Sequence, residues 1–393
     1  MISVKEALTI ILLQSRSFGI TTVSLNEATG RVLAEDMYAD RDYPPFHRAA
    51  MDGFALRSED FLDKEIRTYQ IIDSLFAGGT STLKPAEGQC LRIMTGSATP
   101  ADYDAIIRIE DCQVEGDQVT FTIASFKKGQ NIAKQGEDAK AGELVLPKNT
   151  RLLAPEIAAL AVIGKAEISV HQLPKIAVIS TGDEVIPVGQ AVEPHQIRDS
   201  NSYALASFLQ HYELPVHYRK LVTDDQGLLR HAIQEVLNFD IVIFSGGVSM
   251  GEADFVPAIL SECGVQPLFH KVKLKPGKPL WFGKIASGGV VFGLPGNPMS
   301  CQVCYKVFIE PFIRNCFGLS EALTLQLPLL VDKNKNVKLD QYFPCVIEGK
   351  GIRPVVINGS GDITSTLRSH GLAVHPLEMG DLKQGDTVEF IFW

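Results

Sequence analysis

DIVIFSGGVSMGEAD, residues 240–254, is the stretch whose reading decides the fold of this chain. Asp240 to Ser245 reads as an apolar strand, its run Ile241 to Phe244 unbroken, the mark of a strand covered on both faces. Ser245-Gly246-Gly247-Val248-Ser249-Met250-Gly251-Glu252-Ala253-Asp254 follows as a glycine-rich loop, and residues 255–262 read as helix. Glycines after a buried strand let backbone N–H groups approach a phosphate, and the next helix start adds positive potential. Glu252 and Asp254 are oxygen donors of the kind a divalent cation takes. By itself the loop reads equally well as a strand-to-helix turn whose acidic residues favour the helix start.

The same alternation extends to both sides. Lys175 to Ser180 and Val216 to Val222 are strands, and Val290 to Gly293 is another. Asn201 can cap a helix through about His211. Asp225 to Leu237 carries Leu228, Leu229, Ile233, Val236 and Leu237 at helical spacing. Asn297-Pro298 opens a long helix to about Cys316. Strand and helix in alternation predict a parallel, doubly wound α/β sheet, with ligands beyond the carboxyl ends of its strands. After Leu323 the text is strand and turn through Phe392, with the turn cluster Asn358-Gly359-Ser360-Gly361-Asp362, and fits a small β-barrel or sandwich.

Upstream, Ser3 and Glu6 form a capping box for an amphipathic helix ending near Arg16, and a second helical patch runs from Leu25 to Ala34. Asp42-Tyr43-Pro44-Pro45-Phe46 is a boundary, because paired prolines stop regular structure. Residues 47–135 read as a β-rich unit with strands Tyr69 to Ile72, Gln89 to Met94, Ala105 to Ile109 and Val119 to Ala124. Residues 136–170 return to helix-like text, with Pro155 at a first-turn position. Packing of this segment with the N-terminal helix would make the β-rich unit an insertion.

The bulk numbers exclude several classes. The chain has 393 residues, enough for several domains. A net charge of −9 argues against general nucleic-acid binding. An anionic substrate must then be met locally, by a metal ion, backbone N–H groups or a few lysines. Seven irregularly spaced cysteines do not make a disulfide framework, and the C-x-x-C of Cys301 and Cys304 reads as helix packing. The first helix lacks the cleavage site of a signal peptide, and no apolar run approaches the roughly 20 residues of a membrane span.

Three more loops carry polar groups: Ser180-Thr181-Gly182-Asp183-Glu184, Arg198-Asp199-Ser200-Asn201 and Gly293-Leu294-Pro295-Gly296-Asn297-Pro298. Lys275-Pro276-Gly277-Lys278-Pro279 holds two ammonium groups suited to an oxyanion or phosphate, or else is a solvated basic turn. Glu184, Asp199, Asp224, Asp225 and Asp254 lie near these loops. Carboxylates that converge with lysines imply Mg²⁺ and an anionic ligand together. Ala50-Met51-Asp52-Gly53-Phe54-Ala55, Met94-Thr95-Gly96 and Gly136-Glu137-Asp138 each read singly as ordinary turns, and His47 as a surface or packing residue.

Taken in order, these pieces resemble the molybdopterin molybdenumtransferase family, which includes the E domain of gephyrin. The matching stretches are PPFHRAAMDGFA (44–55), RIMTG (92–96), GED (136–138), STGDE (180–184), RDSN (198–201), SGGVSMGEADF (245–255), KPGKP (275–279) and GLPGNP (293–298). The resemblance implies an α/β plus β multidomain fold. Its parts are a split helical and extended dimerisation domain (1–43 and 136–172), an inserted β-rich domain (44–135), a molybdopterin-binding α/β domain (173–320) and a C-terminal β-barrel (321–393). It further implies a cytoplasmic homodimer, with no nucleic-acid or membrane partner and with contacts to other proteins of molybdenum cofactor biosynthesis. The implied substrates are adenylylated molybdopterin and molybdate, and the implied cofactor is Mg²⁺, with AMP released as molybdenum enters the dithiolene.

Carried over by position, Asp52, Thr95, Asp138, Glu184, Asp224, Lys275 and Lys278 are candidates for cleft chemistry. Asp199, Ser245, Gly246, Gly247, Ser249, Gly251, Pro295 and Pro298 are candidates for substrate binding, and Asp254 and Asp224 for Mg²⁺. The resemblance implies that Asp52, Thr95 and Asp138 serve the cleft from the opposite subunit. The chain departs from the family pattern at His47, where Asp is frequent, at Ala49, where Ser is frequent, and at Gln135, where Arg is frequent. Three other readings stand beside the leading one. They are adenylylation of molybdopterin, a scaffold that keeps the fold for protein binding, and a divergent paralogue of reduced activity.

Overall fold

The structure, a computed structural model, describes residues 1–248, 255–335, 337–359 and 361–393. It comprises two compact units, one of Met1–Ala34, Asn149–Leu153 and Ile168–Trp393, the other of Glu35–Lys148 and Ala154–Glu167.

The first helix, α1 (Val4–Leu12), begins with the expected capping box: the Glu6 N–H donates to Ser3 Oγ at 3.1 Å, and the Ser3 N–H donates to the Glu6 carboxylate at 2.7 Å. It stops before Arg16, where the apolar spacing lapses into Gln14-Ser15-Arg16-Ser17. The expected helical patch from Leu25 to Ala34 is mostly extended. A single 3₁₀ turn, Leu25–Glu27, precedes Gly30 at φ +79°, and Val32 and Leu33 then bridge Arg151 and Val170. Ladder pairing outweighs a weak helical pattern there.

The second unit is built on a six-stranded sheet. Its strands are β1 (Gly53–Leu56), β2 (Thr68–Leu75), β3 (Gln89–Ile93), β4 (Ala105–Arg108), β5 (Cys112–Glu115) and β6 (Gln118–Phe121), in the order β4-β1-β3-β2-β6-β5. Only β2 and β3 run parallel. Alternate side chains feed two cores: Phe54, Tyr69 and Phe121 on one face, Ala55, Leu91 and Ile106 on the other. The helix α2 (Ser58–Leu62) adds Phe61 to the first. The sequence reading misses β1 and β5, which are only four residues each. It also overstates helix after residue 136. Only α3 (Ala154–Val162) forms, while Leu144–Leu146 pairs with Met37–Tyr38 as strand. Helix α3 belongs to the second unit, while Asn149–Leu153 and the chain from Ile168 belong with α1 to the first.

The rest of the first unit is the α/β layer. It runs β7 (Ile176–Thr181), α4 (Asn201–Gln210), β8 (Val216–Val222), α5 (Gln226–Val236), β9 (Ile241–Ser245), α6 (Val256–Glu262), β10 (Gln266–His270), β11 (Trp281–Lys284), β12 (Val290–Leu294), α7 (Pro298–Cys304) and α8 (Glu310–Cys316). The strand order is β8-β7-β9-β12-β11-β10. Along β7 and β9, Ile176, Val178, Ile241 and Ile243 face α4 and α8 residues such as Leu205, Leu209 and Phe312. Their neighbours Ala177, Ile179, Val242 and Phe244 face Leu229, Ile233, Ile259 and Leu260 of α5 and α6. The sheet is therefore doubly wound, and α1 packs with α8. It is parallel only across β8-β7-β9-β12; β11 and β10 are antiparallel. The connection from Lys284 to Val290 is too short for a crossover helix, so it makes a hairpin.

Between α7 and α8 the helix widens into a π turn, Tyr305–Ile309. Pro311 follows, lacking an N–H and crowding the carbonyl one turn back, and the wider turn accommodates it. Cys301 and Cys304 on α7 are buried, free thiols. Burial pushes Cys301 up to about 12 and Cys304 well above the ordinary thiol value, so both serve packing.

The C-terminal strands are β13 (Thr324–Pro328), β14 (Asp340–Glu348), β15 (Gly351–Pro354), β16 (Gly371–His375) and β17 (Thr387–Phe392). They pair as β13-β17-β16-β14-β15, and Leu329, just past β13, bridges Ile352 in β15. The ladder thus curls round to its own start as a small barrel over Phe343, Cys345, Ile352 and Phe390. Among the described residues no helix is long and apolar enough to cross a membrane.

Candidate active site

Strands β7, β9 and β12 are parallel, so their carboxyl ends open on one edge of the sheet. A cavity of about 1120 Å³ lies there, lined by the loops after those strands and by the start of α4. It gathers Glu184 and Asp224, with Asp199 at its floor. Ser245, Gly246, Gly247, Pro295 and Pro298 complete the sequence candidates it brings together. Ser249, Gly251 and Asp254 lie outside the described residues.

The turn after β9 shows why glycine stands there. Gly246 and Gly247 adopt φ +96° and +65°, a region L side chains avoid. A Cβ on Gly246 would lie 2.5 Å from the Thr181 carbonyl oxygen, and one on Gly247 2.7 Å from Thr181 Oγ1. The Gly246 N–H donates to Leu294 O at 3.1 Å, which ties the ends of β9 and β12.

Asp199 is 8 % exposed. Its carboxylate accepts from Ser180 Oγ at 3.0 Å, Ser202 N at 3.1 Å and Ser202 Oγ at 2.6 Å. It thereby fastens the end of β7 to the first turn of α4. Ser200, not Asn201, is the N-cap of that helix. Asp183 accepts the Asp224 N–H at 3.0 Å, so two acidic loops meet beside the cavity. No group of three or more His, Cys, Asp or Glu forms a metal centre among the described residues.

Lys275 and Lys278 do not line that cavity. They line a second one, of about 800 Å³, which shares Pro279, Pro295 and Asn297 with the first. Lys275 is held in register by pairing with Gln341 of the barrel, and Cys304 Sγ lies 3.8 Å from the Gly277 carbonyl beneath the loop. Lys333 lines this cavity too. Burial, with the Lys275 charge adding to it, lowers the Lys333 ammonium below its ordinary value. None of the three lysines forms an ion pair among the described residues. The sequence reading missed Lys333, because nothing in Lys333-Asn334-Lys335 separates it from a solvated basic turn.

A barrel loop completes the rim with Gly361 and Ile363. Asp362 orders it, accepting from Asn358 N at 3.0 Å, Thr364 N and Oγ1 at 2.8 Å and Ser365 N at 3.1 Å. These bonds, the Asn358 N–H foremost, hold its carboxyl down to about 2. A depressed acid stabilises its surroundings fully above the unfolded value of about 3.9 and loses that contribution as pH falls through the folded value. Hydrogen exchange in this loop is expected to be flat from pH 7 to about 4, after correction for intrinsic rates, and to lose protection towards about 2. Asp362→Ala is expected to remove that step.

In the other unit, Asp52 Oδ1 accepts from Thr95 N at 2.7 Å and Thr95 Oγ1 at 2.6 Å, so these two candidates are brought together. The Thr95 hydroxyl, then its N–H, holds the Asp52 carboxyl below the usual range. Asp138 sits on the returning chain, its N–H donating to Tyr43 O at 2.9 Å. The family departures are neighbours. The Gln135 N–H donates to His47 Nδ1 at 3.2 Å, the Gln135 amide donates to Asp42 at 3.0 Å, and Ala49 pairs with Ile132.

Residues 2–164 match the MoeA N-terminal region (domain I and II), and residues 177–315 match a probable molybdopterin binding domain. A molybdopterin molybdenumtransferase from Synechocystis sp. is 33% identical over 402 residues, covering 100% of both chains. One from Staphylococcus epidermidis is 33% identical over 401 residues, covering 99% of this chain and 95% of that protein. Among solved structures, a molybdopterin biosynthesis moeA protein from Pyrococcus horikoshii aligns at TM-score 0.87 with 27% identity over 100% of both chains. Another, from the same source, aligns at TM-score 0.81 with 30% identity, covering 100% of this chain and 99% of that one. Full-length likeness at this level, on a glycine turn and acidic loops at the open edge of a doubly wound sheet, places the chain in the molybdopterin molybdenumtransferase family, transferases of molybdenum cofactor biosynthesis.

Proposed function

We propose that this chain inserts molybdenum from molybdate into adenylylated molybdopterin, with Mg²⁺-dependent release of AMP. The observation that carries the reading is one cavity lined by a diglycine turn, Glu184 and Asp224, adjoined by a lysine-lined cavity. Gly246 and Gly247, with Ser245, offer a close backbone approach to the pterin and phosphate groups. Asp224 and Asp254 would hold Mg²⁺. The ion is commonly bound by one or two carboxylates plus substrate phosphates, so a cage of three protein ligands is not required. When bound, it neutralises charge on the pyrophosphate oxygens. Lys275 and Lys278 hold the oxyanion in the adjoining cavity as two fixed ammonium groups.

In this reading the chain works as a cytoplasmic homodimer, beside other proteins of cofactor biosynthesis. Asp52, Thr95 and Asp138 complete the cleft of the second subunit, and Asp199, Pro295 and Pro298 shape the substrate side. The domains divide at 1–43 with 136–172, 44–135, 173–320 and 321–393. Purified protein given adenylylated molybdopterin, molybdate and Mg²⁺ is expected to release AMP and retain molybdenum on the pterin. AMP no higher than a protein-free blank would remove the reading.

A further inference from the structure

Asn201 is the first residue of α4, one past its N-cap Ser200, and its side-chain bonds reach away from the helix. Its amide Nδ2 donates instead to Ser245 Oγ at 2.7 Å and to the Gly296 carbonyl at 2.7 Å. All three residues line the larger cavity. The two acceptors sit on separate loops, one ending β9, the other following β12. A backbone carbonyl only accepts, so it requires an N–H on that side of Asn201 and fixes the orientation of the amide. The second N–H then enters the Ser245 oxygen. Ser245 is thereby an acceptor towards Asn201, and its own hydroxyl hydrogen is left for a second partner; Cys301 Sγ is hydrogen-bonded to it. Ser245 also lines the cavity, where a ligand oxygen would compete with the Cys301 sulfur for that hydrogen.

We infer that Asn201 is a positioning residue: it joins the loops after β9 and β12 and sets the polarity of the Ser245 hydroxyl, so that Ser245 donates to an oxygen of the bound pterin or its phosphate. The ligand half of this inference rests on the molybdopterin reading; the tie between the loops does not. Asparagine is the side chain the arrangement needs. Aspartate has the shape and no donors, serine has one donor, and glutamine is a methylene too long for both acceptors from the same backbone position.

Asn201→Asp separates orientation from mere support. Its carboxylate repels the Gly296 carbonyl and draws the Ser245 proton towards itself. Asn201→Ala loses both bonds and leaves that proton free. Anaerobic titration with molybdopterin is expected to show affinity about tenfold lower for Asn201→Ala and lower again, by about tenfold, for Asn201→Asp. In a Ser245→Ala background the gap between the two variants is expected to close, a coupling that simple loss of stability would not produce. Thermal melts identify any variant that fails to fold. Hydrogen exchange at the Gly246 N–H, which bonds Leu294 O, reads the tie without ligand and is expected to quicken about tenfold in Asn201→Ala. Unchanged exchange there overturns the inference, as does a gap between the variants that survives Ser245→Ala. Failure of the wild-type chain to bind molybdopterin counts against the functional reading and against the ligand half, while the exchange result still decides the tie.

Discussion

Gly246→Ala is expected to unfold the floor of the larger cavity, lowering stability by about 3 kcal/mol and removing molybdopterin binding. Two costs act together. The backbone stands at φ +96°, which penalises any Cβ, and the new methyl would sit 2.5 Å from the Thr181 carbonyl oxygen. That neighbour is backbone of a central strand, paired on both sides, and cannot move aside cheaply. The same displacement breaks the Gly246 bond to Leu294 and parts the ends of β9 and β12. Gly361→Ala is the matched control. It lines the same cavity, and a Cβ there meets nothing within 4 Å, so its effect should stay within about 0.5 kcal/mol. Urea unfolding of both variants checks this. Equal stability of the two would show that the turn tolerates a side chain, and the cradle argument would fall.

The second large effect is expected from removing the lysine pair. Lys275→Ala with Lys278→Ala should lower molybdenum insertion by about 100-fold, the scale seen when preorganised donors to a charged centre are removed. The loss should appear in the dependence on molybdate concentration, while AMP binding stays close to wild type, because these lysines line the adjoining cavity. Lys333→Ala should act in the same direction by about tenfold, since Lys333 lines the same cavity and its ammonium is close enough to feel the Lys275 charge. Steady-state rates against molybdate, with AMP affinity measured separately, distinguish the outcomes. A double variant with an unchanged molybdate profile would show the lysines to be an ordinary basic turn.

Much of the α/β layer was legible because its signals are local. The run Asp240 to Ser245 announces a doubly covered strand, and β9 is buried at all five positions. Val216 to Val222 and the Ser3–Glu6 capping box lie where the periodicity and spacing put them. Elements with little local signal were read poorly. β1 opens on Gly53 within a stretch that reads as a turn, and β10 carries Pro267, so neither stands out from loop. The helical pattern after Leu25 gave way to pairing with residues more than a hundred positions away, which no window along the chain contains. Of the site candidates, Glu184, Asp199, Asp224, Ser245, Gly246 and Gly247 share one cavity, whereas Lys275 and Lys278 open on its neighbour.

By itself the sequence determined the class of fold, the strands and helices at the centre of the α/β layer and the loops on which polar groups gather. Those properties follow from periodicity, capping and turn chemistry, which act within a few residues. Only the tertiary structure decided that β10 and β11 run antiparallel and that Lys333 of the barrel joins Lys275 and Lys278. It alone turned Asn201 away from its helix to hold Ser245 and Gly296, 44 and 95 positions distant. A hydrogen bond across such separations leaves no periodic trace along the chain; it exists once the sheet has set the ends of its strands side by side.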